Sequence, residues 1–294
     1  MASTTNSAAP VDHLRDENGF FSMVAVDQRG SLRAMLAEQA GGQDVSDEDL
    51  VQFKVDVATE LAPGASGLLL DRDFGFRAAA ASLCPVILAA DVLTASVPGG
   101  PVDQATIDQG LTPEIAYEFN AQALKMLVPW SYDIRSEAVD LAHEFMGVAR
   151  GMGLPGIVEG VVRPPDFASW SIPRRNEALI AAAQDLAATA PDLYKAEVVY
   201  TSPEHHELAT EASKGITEAL SVPWVILSSG VPGEYFGDAL SAAVAGGAQG
   251  FLAGRALWAD ACGAADAAAF LRTTSSSRLA TLAARVPAEA APRT

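Results

Sequence analysis

A lysine and a glutamate share one face of a short apolar run about two-thirds of the way along the chain. The run reads Asp192-Leu-Tyr-Lys-Ala-Glu-Val-Val-Tyr200, and the two-residue period of a β-strand places Lys195 and Glu197 on the same face. Burial and nearby cations lower the pKa of a lysine, and the free amine then attacks carbonyl carbon. Lys195 is therefore a candidate nucleophile. The alternative is a buried ion pair, with Glu197 or with Glu159, that does no chemistry.

Three further polar residues lie in or at the ends of apolar runs. Glu159 lies within Gly156-Ile-Val-Glu-Gly-Val-Val-Arg-Pro-Pro165, where a carboxyl group could move protons; Lys125 begins an earlier run and Asp27 ends the first. Such side chains are costly to bury unless they are paired with a partner or take part in binding or catalysis. Each also has a structural interpretation, Glu159 as the ion-pair partner of either lysine and Asp27 as a turn residue or helix cap.

Two motifs of small residues near the end of the chain are typical of an anion-binding site. Leu227-Ser-Ser-Gly230 precedes a helix start near Pro232, and Ala253-Gly-Arg-Ala256 precedes a turn or helix. Backbone N–H groups, a helix N-terminus and an arginine together bind phosphate. The predicted ligands are Ser228, Ser229, Gly230, Gly254 and Arg255. The alternative is tight backbone packing at the two glycines.

Eight apolar runs, each followed by a polar or glycine-rich break and a helical pattern, must position these residues. They cover Phe21–Asp27, Ser66–Asp71, Pro85–Asp91, Lys125–Trp130, Gly156–Val162, Asp192–Val199, Trp224–Ser229 and Gly250–Arg255. Helix starts are indicated by Ser46 with Asp49, by Thr112–Pro113 ahead of a helix towards Leu124, and by Ser202–Pro203. Eightfold strand–helix alternation predicts an α/β fold, the (β/α)8 TIM barrel, with its active site at the strands' carboxyl ends. A doubly wound sheet is disfavoured because the first turn lacks G-x-G-x-x-G.

Composition, charge and motif content favour some classes of protein and argue against others. The 294 residues are expected to form one barrel domain, 1–294, with mobile ends at about 1–12 and 287–294. A net charge of −18 argues against nucleic-acid binding, and neither a signal peptide nor a membrane span is recognisable, so we expect a cytoplasmic protein. The two cysteines form no C-x-x-C pair and the four histidines have no zinc-site spacing, so no metal is expected.

Segments in a fixed order resemble the class I aldolase family that contains sulfofructosephosphate aldolase and tagatose-1,6-bisphosphate aldolase. They are Ala25–Arg29, Phe53–Val55, Pro101–Asp103, Ala123–Lys125, Val161–Pro165, Asp192–Lys195, Pro223–Val231 and Gly250–Ala256. The resemblance spans about Phe20 to Trp258. It implies a barrel without cofactor that cleaves a ketose 1-phosphate, a sugar phosphate, through a covalent Schiff base to dihydroxyacetone phosphate and an aldehyde. It also implies a homo-oligomer.

The same resemblance implies roles for individual residues of the site. Lys195 would form the Schiff base and Glu159 would shuttle protons, with Lys125 and Asp27 positioning substrate hydroxyls. Two segments look more like the sulfosugar branch, which implies cleavage of 6-deoxy-6-sulfofructose 1-phosphate to 3-sulfolactaldehyde in sulfoquinovose catabolism. The candidate sulfonate ligands are Gln28, Arg29 and Arg163. The alternatives are a tagatose- or fructose-1,6-bisphosphate aldolase and a non-catalytic sugar-phosphate-binding barrel. One departure from the family is Gly160, where many relatives have proline.

Overall fold

The eight predicted strands close into a parallel barrel. A computed structural model describes residues 11–39, 41–42, 44–96, 102–164, 166, 169–228 and 231–290. Its strands are β1 (Phe21–Ala25), β2 (Leu68–Leu70), β3 (Val86–Ala89), β4 (Asp91–Thr94), β5 (Gln104–Ile107), β6 (Ala121–Trp130), β7 (Gly156–Val162), β8 (Leu193–Ala196), β9 (Trp224–Ile226) and β10 (Gly250–Ala253). All but β4 and β5 form the barrel, in the order β1-β2-β3-β6-β7-β8-β9-β10, and β10 pairs with β1. The (β/α)8 prediction is confirmed.

Helices lie between the barrel strands and after the last of them. They are α1 (Gly30–Gln39), α2 (Asp47–Leu61), α3 (Phe76–Ala81), α4 (Pro113–Glu118), α5 (Arg135–Gly151), α6 (Ile172–Ala187), α7 (His206–Ala219), α8 (Phe236–Ala245), α9 (Arg255–Trp258), α10 (Ala267–Phe270) and α11 (Ser276–Glu289). The capping box predicted at Ser46 and Asp49 begins α2, with each residue's side chain accepting from the other's backbone N–H. Within the described ranges, no helix is long and apolar enough to cross a membrane.

The helix that begins at Thr112–Pro113 is shorter than predicted. Thr112 Oγ1 accepts a hydrogen bond from Ile115 N at 3.3 Å, as an N-cap does. However, α4 ends at Glu118 and β6 begins at Ala121. Asn120 lies between them with φ of 49°, a left-handed conformation that ends helices. The prediction of a helix towards Leu124 is therefore wrong, because the last four residues of that stretch start the fourth barrel strand.

An apolar layer closes the bottom of the barrel. Val11 and Leu14, at and beside a short 3₁₀ helix, are fully buried and cluster with inward-facing strand residues, including Phe21, Met23, Leu69, Ile87, Ala123, Ile157, Leu193, Val225 and Leu252. Residues 1–10 and 291–294 of the predicted mobile ends lie outside the described residues. In the described parts of those ends, Asp12 belongs to the 3₁₀ helix and α11 continues to Glu289.

A charged layer lies above this floor. Two residues further along three adjacent strands, β6, β7 and β8, the inward positions hold Lys125, Glu159 and Lys195. A small apolar cluster follows at the rim, formed by Leu127, Val161 and Leu227. The charges are thus enclosed between apolar layers, where electrostatic interactions are stronger than in water.

A two-stranded antiparallel hairpin, β4–β5, is inserted after β3. Leu93 of β4 and Val102, just before β5, pack against the rim cluster. The hairpin therefore lies against the upper end of the barrel, where the active site of this fold is found. Its two strands were not among the predicted elements.

Gly160 is required by a neighbouring tyrosine. A Cβ at Gly160 would collide with the hydroxyl of Tyr194 and lie 2.9 Å from Tyr194 Cζ. We expect Gly160→Ala to destabilise the fold by about 1–3 kcal/mol, and Gly160→Ala/Tyr194→Phe to recover part of that loss. Urea denaturation measures both. Gly147→Ala, at an exposed helical glycine with open space around it, is the control and should be neutral or stabilising. Equal effects at the two glycines would contradict the prediction.

Candidate active site

Lys125 lies at the centre of the charged layer. Its Nζ is 3.1 Å from Asp27 Oδ2, 3.1 Å from Asp91 Oδ2 and 2.8 Å from Glu159 Oε2. Burial lowers the pKa of Lys125, but the three carboxylates outweigh it and raise that pKa well above its ordinary value. Lys125 is therefore a fixed cation, which leaves its amine unsuited to act as a nucleophile.

Lys195 has a different environment. Its Nζ lies 3.1 Å from Glu159 Oε2, and the two residues are register partners on β7 and β8. Glu197 faces Arg163 instead, with Arg163 Nη1 donating to Glu197 Oε1 at 2.8 Å. Of the two ion pairs that the sequence left open for Lys195, the structure contains the one with Glu159. Within the described residues, this is the single carboxylate that Lys195 contacts.

The carboxylate of Glu159 bridges the two lysines. Burial raises the pKa of Glu159, but Lys125 and Lys195 outweigh burial and lower it, so the group is ionised at neutral pH. An ionised carboxylate in contact with an amine can accept a proton from it and return the proton later. Lys195 and Glu159 thus have the geometry of a nucleophile with its proton shuttle.

Two aspartates complete the surroundings of Lys125. Burial raises the pKa of Asp27, but Lys125 and Lys195 outweigh it and bring the pKa to about 2. Burial raises the pKa of Asp91 despite Lys125, and the nearby charge of Asp27 adds to the rise. Asp91 Oδ2 also accepts from Leu127 N at 3.0 Å, so its carboxylate ties β4 to β6.

Asp27 should make folding sensitive to acid. Because the pKa of Asp27 in the fold is about 2, below its value in the unfolded chain, ionised Asp27 stabilises the fold above about pH 4. This contribution, about 2 kcal/mol, is lost as the pH falls towards 2. Chemical denaturation of wild type and Asp27→Asn from pH 7 to pH 3 should show a wild-type advantage that shrinks on acidification. A pH-independent difference would contradict the prediction.

A second buried cluster contains a lysine that was not among the predicted site residues. Lys54 of α2 is fully buried, and its Nζ lies 2.5 Å from Asp71 Oδ1. It also donates to the backbone carbonyls of Val26 and Gln28. The signal in the sequence is its place in the buried stripe of α2, which otherwise contains Leu50, Val57 and Leu61. A lysine in such a stripe needs a buried anion, and Asp71 at the end of β2 supplies it.

Part of the predicted phosphate site lies at the ends of β9 and β10. Ser228 Oγ accepts a hydrogen bond from Gly254 N at 3.3 Å, and Arg255 begins α9 beside them. A Cβ at Gly254 would lie 2.7 Å from the carbonyl oxygen of Ala25, so tight packing requires this glycine whether or not it also binds an anion. Ser229 and Gly230 lie outside the described residues.

A cavity of about 760 Å³ adjoins this region. Ser228 and Arg255 line it together with Arg278 and Arg285 of α11. Its described lining does not include Lys195, so the cavity lies beside Ser228 and Arg255, two of the predicted phosphate ligands, and not over the amine.

Both arginines proposed for a sulfonate have acidic neighbours. Arg29 Nη1 donates to the carbonyl of Asp91 at 2.9 Å, and its guanidinium lies within 3.8 Å of three carboxylates, those of Asp71, Asp73 and Asp91. Arg163 pairs with Glu197 and donates through Nε to the carbonyl of Val102 at 3.1 Å, which ties it to the hairpin. The positive charge of each arginine is therefore compensated within the protein.

Gln28, the third sulfonate candidate, carries an unused polar atom. Its Oε1 is buried and has no hydrogen-bond partner in the described part of the chain. Its Nε2 lies 3.2 Å from the position that a Cβ would take at Gly254, so the Gln28 amide reaches the predicted phosphate side. A buried amide oxygen without a hydrogen bond is costly unless a ligand contacts it.

A buried lysine, a carboxylate in contact with it and a candidate anion site at the carboxyl ends of barrel strands are the parts of a Schiff-base (β/α)8-barrel enzyme. No group of three or more metal-ligating side chains is found among the described residues. Residues 21–260 match the model of a family described as DeoC/LacD family aldolase. The chain therefore belongs to the DeoC/LacD family of class I aldolases, which are lyases.

Comparisons with individual proteins agree with this family. The tagatose 1,6-diphosphate aldolase of Streptococcus pneumoniae is 29% identical over 309 residues, covering 93% of each chain. That of Staphylococcus epidermidis is 27% identical over 299 residues, covering 89% of this chain and 87% of that protein.

Solved structures share the fold at lower identity. An archaeal fructose-1,6-bisphosphate aldolase, solved with its catalytic lysine bound to the carbinolamine intermediate, aligns with a TM-score of 0.62 at 16% identity, covering 94% of this chain and 98% of that chain. The fructose-bisphosphate aldolase of Plasmodium falciparum aligns with a TM-score of 0.71 at 13% identity, covering 97% and 94%.

Proposed function

We propose that this aldolase cleaves a ketose 1-phosphate through a Schiff base on Lys195 and releases dihydroxyacetone phosphate. The observation that carries the proposal is the contrast between the two lysines that share Glu159. Lys125 is held by three carboxylates, whereas Lys195 contacts one, which is suited to take its proton. One lysine thus supplies fixed charge and the other supplies the amine.

In the proposed mechanism, the Lys195 amine attacks the C2 carbonyl of the substrate, and loss of water from the carbinolamine gives an iminium. A base, Glu159 or a substrate phosphate oxygen, removes the C4 hydroxyl proton. The C3–C4 bond breaks, its electron pair moves into the iminium to form an enamine, and the aldehyde leaves. The enamine is protonated at C3, and water then hydrolyses the resulting iminium to dihydroxyacetone phosphate and free Lys195.

The remaining residues hold the substrate. Lys125 and Asp27 position its hydroxyl groups, since both face the charged layer beside Glu159. The 1-phosphate is assigned to the ends of β9 and β10, to Ser228, Ser229, Gly230, Gly254 and Arg255. The hydrogen bond between Ser228 and Gly254 supports this assignment because it brings the two motifs together.

For the other end of the substrate, we propose a sulfonate, so that 6-deoxy-6-sulfofructose 1-phosphate is cleaved to 3-sulfolactaldehyde. Arg29 and Arg163 are both compensated by carboxylates, and Gln28 is neutral. A sulfonate carries one negative charge, whereas a phosphate monoester carries about −1.5 to −2 at pH 7. Because little positive charge is left uncompensated around these three residues, they favour a sulfonate over a phosphate. The alternative is tagatose 1,6-bisphosphate, which the names of the bacterial relatives support.

The test compares cleavage of 6-deoxy-6-sulfofructose 1-phosphate with cleavage of tagatose and fructose 1,6-bisphosphates, with EDTA present and dihydroxyacetone phosphate detected. Borohydride is added in parallel to reduce the iminium, and mass spectrometry locates the adduct. Preference for the sulfonate with an adduct on Lys195 is expected. Preference for a bisphosphate would reject the sulfosugar and keep the mechanism. Binding without cleavage or adduct would favour a sugar-phosphate-binding barrel.

A further inference from the structure

Lys54 clamps the backbone on both sides of Asp27. Its Nζ donates to the carbonyl of Val26, which precedes Asp27, and to that of Gln28, which follows it, the latter at 2.8 Å. Asp71, the ion-pair partner of Lys54, is the third group in contact with the ammonium. The two carbonyls accept two of the three ammonium protons of Lys54, and the ion pair with Asp71 compensates its charge, so these contacts fix its position.

The clamp lies behind the catalytic layer and does not touch the substrate side. Lys54 is fully buried and enters from α2, outside the barrel strands, whereas Asp27 points inward and contacts Lys125 at 3.1 Å. Arg29, two residues after Asp27, adds a second attachment of the same loop by donating to the carbonyl of Asp91. The loop after β1 is thus held at residues 26, 28 and 29, with Asp27 between these points.

A displacement of Asp27 would act on Lys125 and Glu159, which belong to a series of alternating charges. Asp27 contacts Lys125, Lys125 contacts Glu159 at 2.8 Å, and Glu159 contacts Lys195 at 3.1 Å. A shift of the loop after β1 would move Asp27 and let Lys125 turn towards its other carboxylates. A displacement of about 1 Å in such an arrangement can cost a hundredfold in rate.

We propose that Lys54 is a positioning residue of this enzyme, which aims the Asp27 carboxylate at Lys125 by holding the carbonyls on either side of it. The proposal rests on the proposed Schiff-base mechanism. It assigns Lys54 to the cleavage step, for which Asp27, Lys125 and Glu159 must be aligned. Attack of Lys195 on the carbonyl depends less on that alignment, because Lys195 lies on β8, away from the clamp.

The test uses a variant that leaves no buried charge behind. In Lys54→Met/Asp71→Asn the ion pair is replaced by neutral groups, the asparagine oxygen can still accept from Phe74 N, and the donors to both carbonyls are gone. We expect kcat to fall about ten- to a hundredfold with KM within about twofold of wild type. The fraction of chains trapped by borohydride with dihydroxyacetone phosphate should be unchanged, and kcat is expressed per trapped site.

A second variant, Lys54→Gln/Asp71→Asn, restores an N–H donor near the carbonyls and should recover part of kcat. Ile216→Val, a buried truncation on α7, is the control for general destabilisation and should leave kcat per trapped site unchanged. Should the methionine variant not fold, the glutamine variant is compared with Asp71→Asn alone, and a higher kcat in the glutamine variant would overturn the proposal.

The outcomes separate the two proposals. A wild type that traps and cleaves, together with a folded methionine variant of unchanged kcat, overturns the role of Lys54 alone. A loss that appears only as fewer trapped sites also overturns it, because that loss is structural. A wild type that neither traps nor cleaves overturns the proposed mechanism, and the role of Lys54 with it.

Discussion

Replacing Lys195 with alanine is expected to lower turnover by at least about 10⁴-fold and to leave the fold intact. The loss is large because neither of the other two buried lysines can take over: Lys125 is held by three carboxylates and Lys54 is clamped behind the layer. The fold should survive because Glu159 keeps Lys125 as its partner at 2.8 Å, so no buried carboxylate is left alone. Cleavage assays and thermal unfolding measure the two effects.

Lys195→Arg is the matched variant. It keeps a cation beside Glu159, but a guanidinium stays protonated and forms no Schiff base, so the same loss is expected. Borohydride should trap the wild type and neither variant. If Lys195→Ala kept more than about one-hundredth of wild-type turnover, a loss of under about 3 kcal/mol in transition-state stabilisation, Lys195 would not be the nucleophile.

The charged layer could be predicted because its strands carry a strong periodic signal. β7 has the predicted bounds, Gly156–Val162, and every residue in it is buried. In a strand that is buried on both faces, one carboxylate stands out, and the two-residue period assigns it to the same face as Ile157 and Val161. The same argument placed Lys195 on β8. Position on a face is local information, which a single sequence contains.

The sequence left alternative ion-pair partners open, because the choice among them depends on contacts between distant parts of the chain. Glu197 lies two residues after Lys195 on the same side, yet its carboxylate pairs with Arg163, the residue that follows the neighbouring strand β7. Lys125 and Asp27 are 98 residues apart in sequence. Sequence alone shows that each needs a partner, and the barrel's register determines which one it contacts.

The β4–β5 hairpin was missed for a related reason. Its strands are four residues each, and their pattern is mostly exposed or half-buried, so the apolar periodicity that identifies barrel strands is weak. Asp91 begins β4 and contacts Lys125, which gives the hairpin a direct link to the charged layer. Asp91 appeared in the sequence as a polar strand end without a role.

Replacing Lys125 with methionine is expected to destabilise the fold by about 3–5 kcal/mol and to abolish cleavage. Lys125 is 1% exposed and is the shared cation of Asp27, Asp91 and Glu159. Methionine fills similar space but leaves these carboxylates with less compensation, so the loss comes from charge more than from packing. Urea denaturation at pH 7 measures the change in the free energy of unfolding.

The pH dependence of Lys125→Met distinguishes charge from packing. Without the cation, the pKa values of the three carboxylates should rise above those of the unfolded chain, so the folded variant binds protons more readily and gains stability as the pH falls. The deficit relative to wild type should therefore narrow from pH 7 to pH 5. Adding Asp91→Asn to Lys125→Met should also reduce the deficit, because it removes one of the uncompensated charges. The asparagine can still accept a hydrogen bond from Leu127 N. A deficit that is equal at both pH values and unchanged by Asp91→Asn would show that Lys125 acts through its volume, because a missing charge must respond to protonation of its partners.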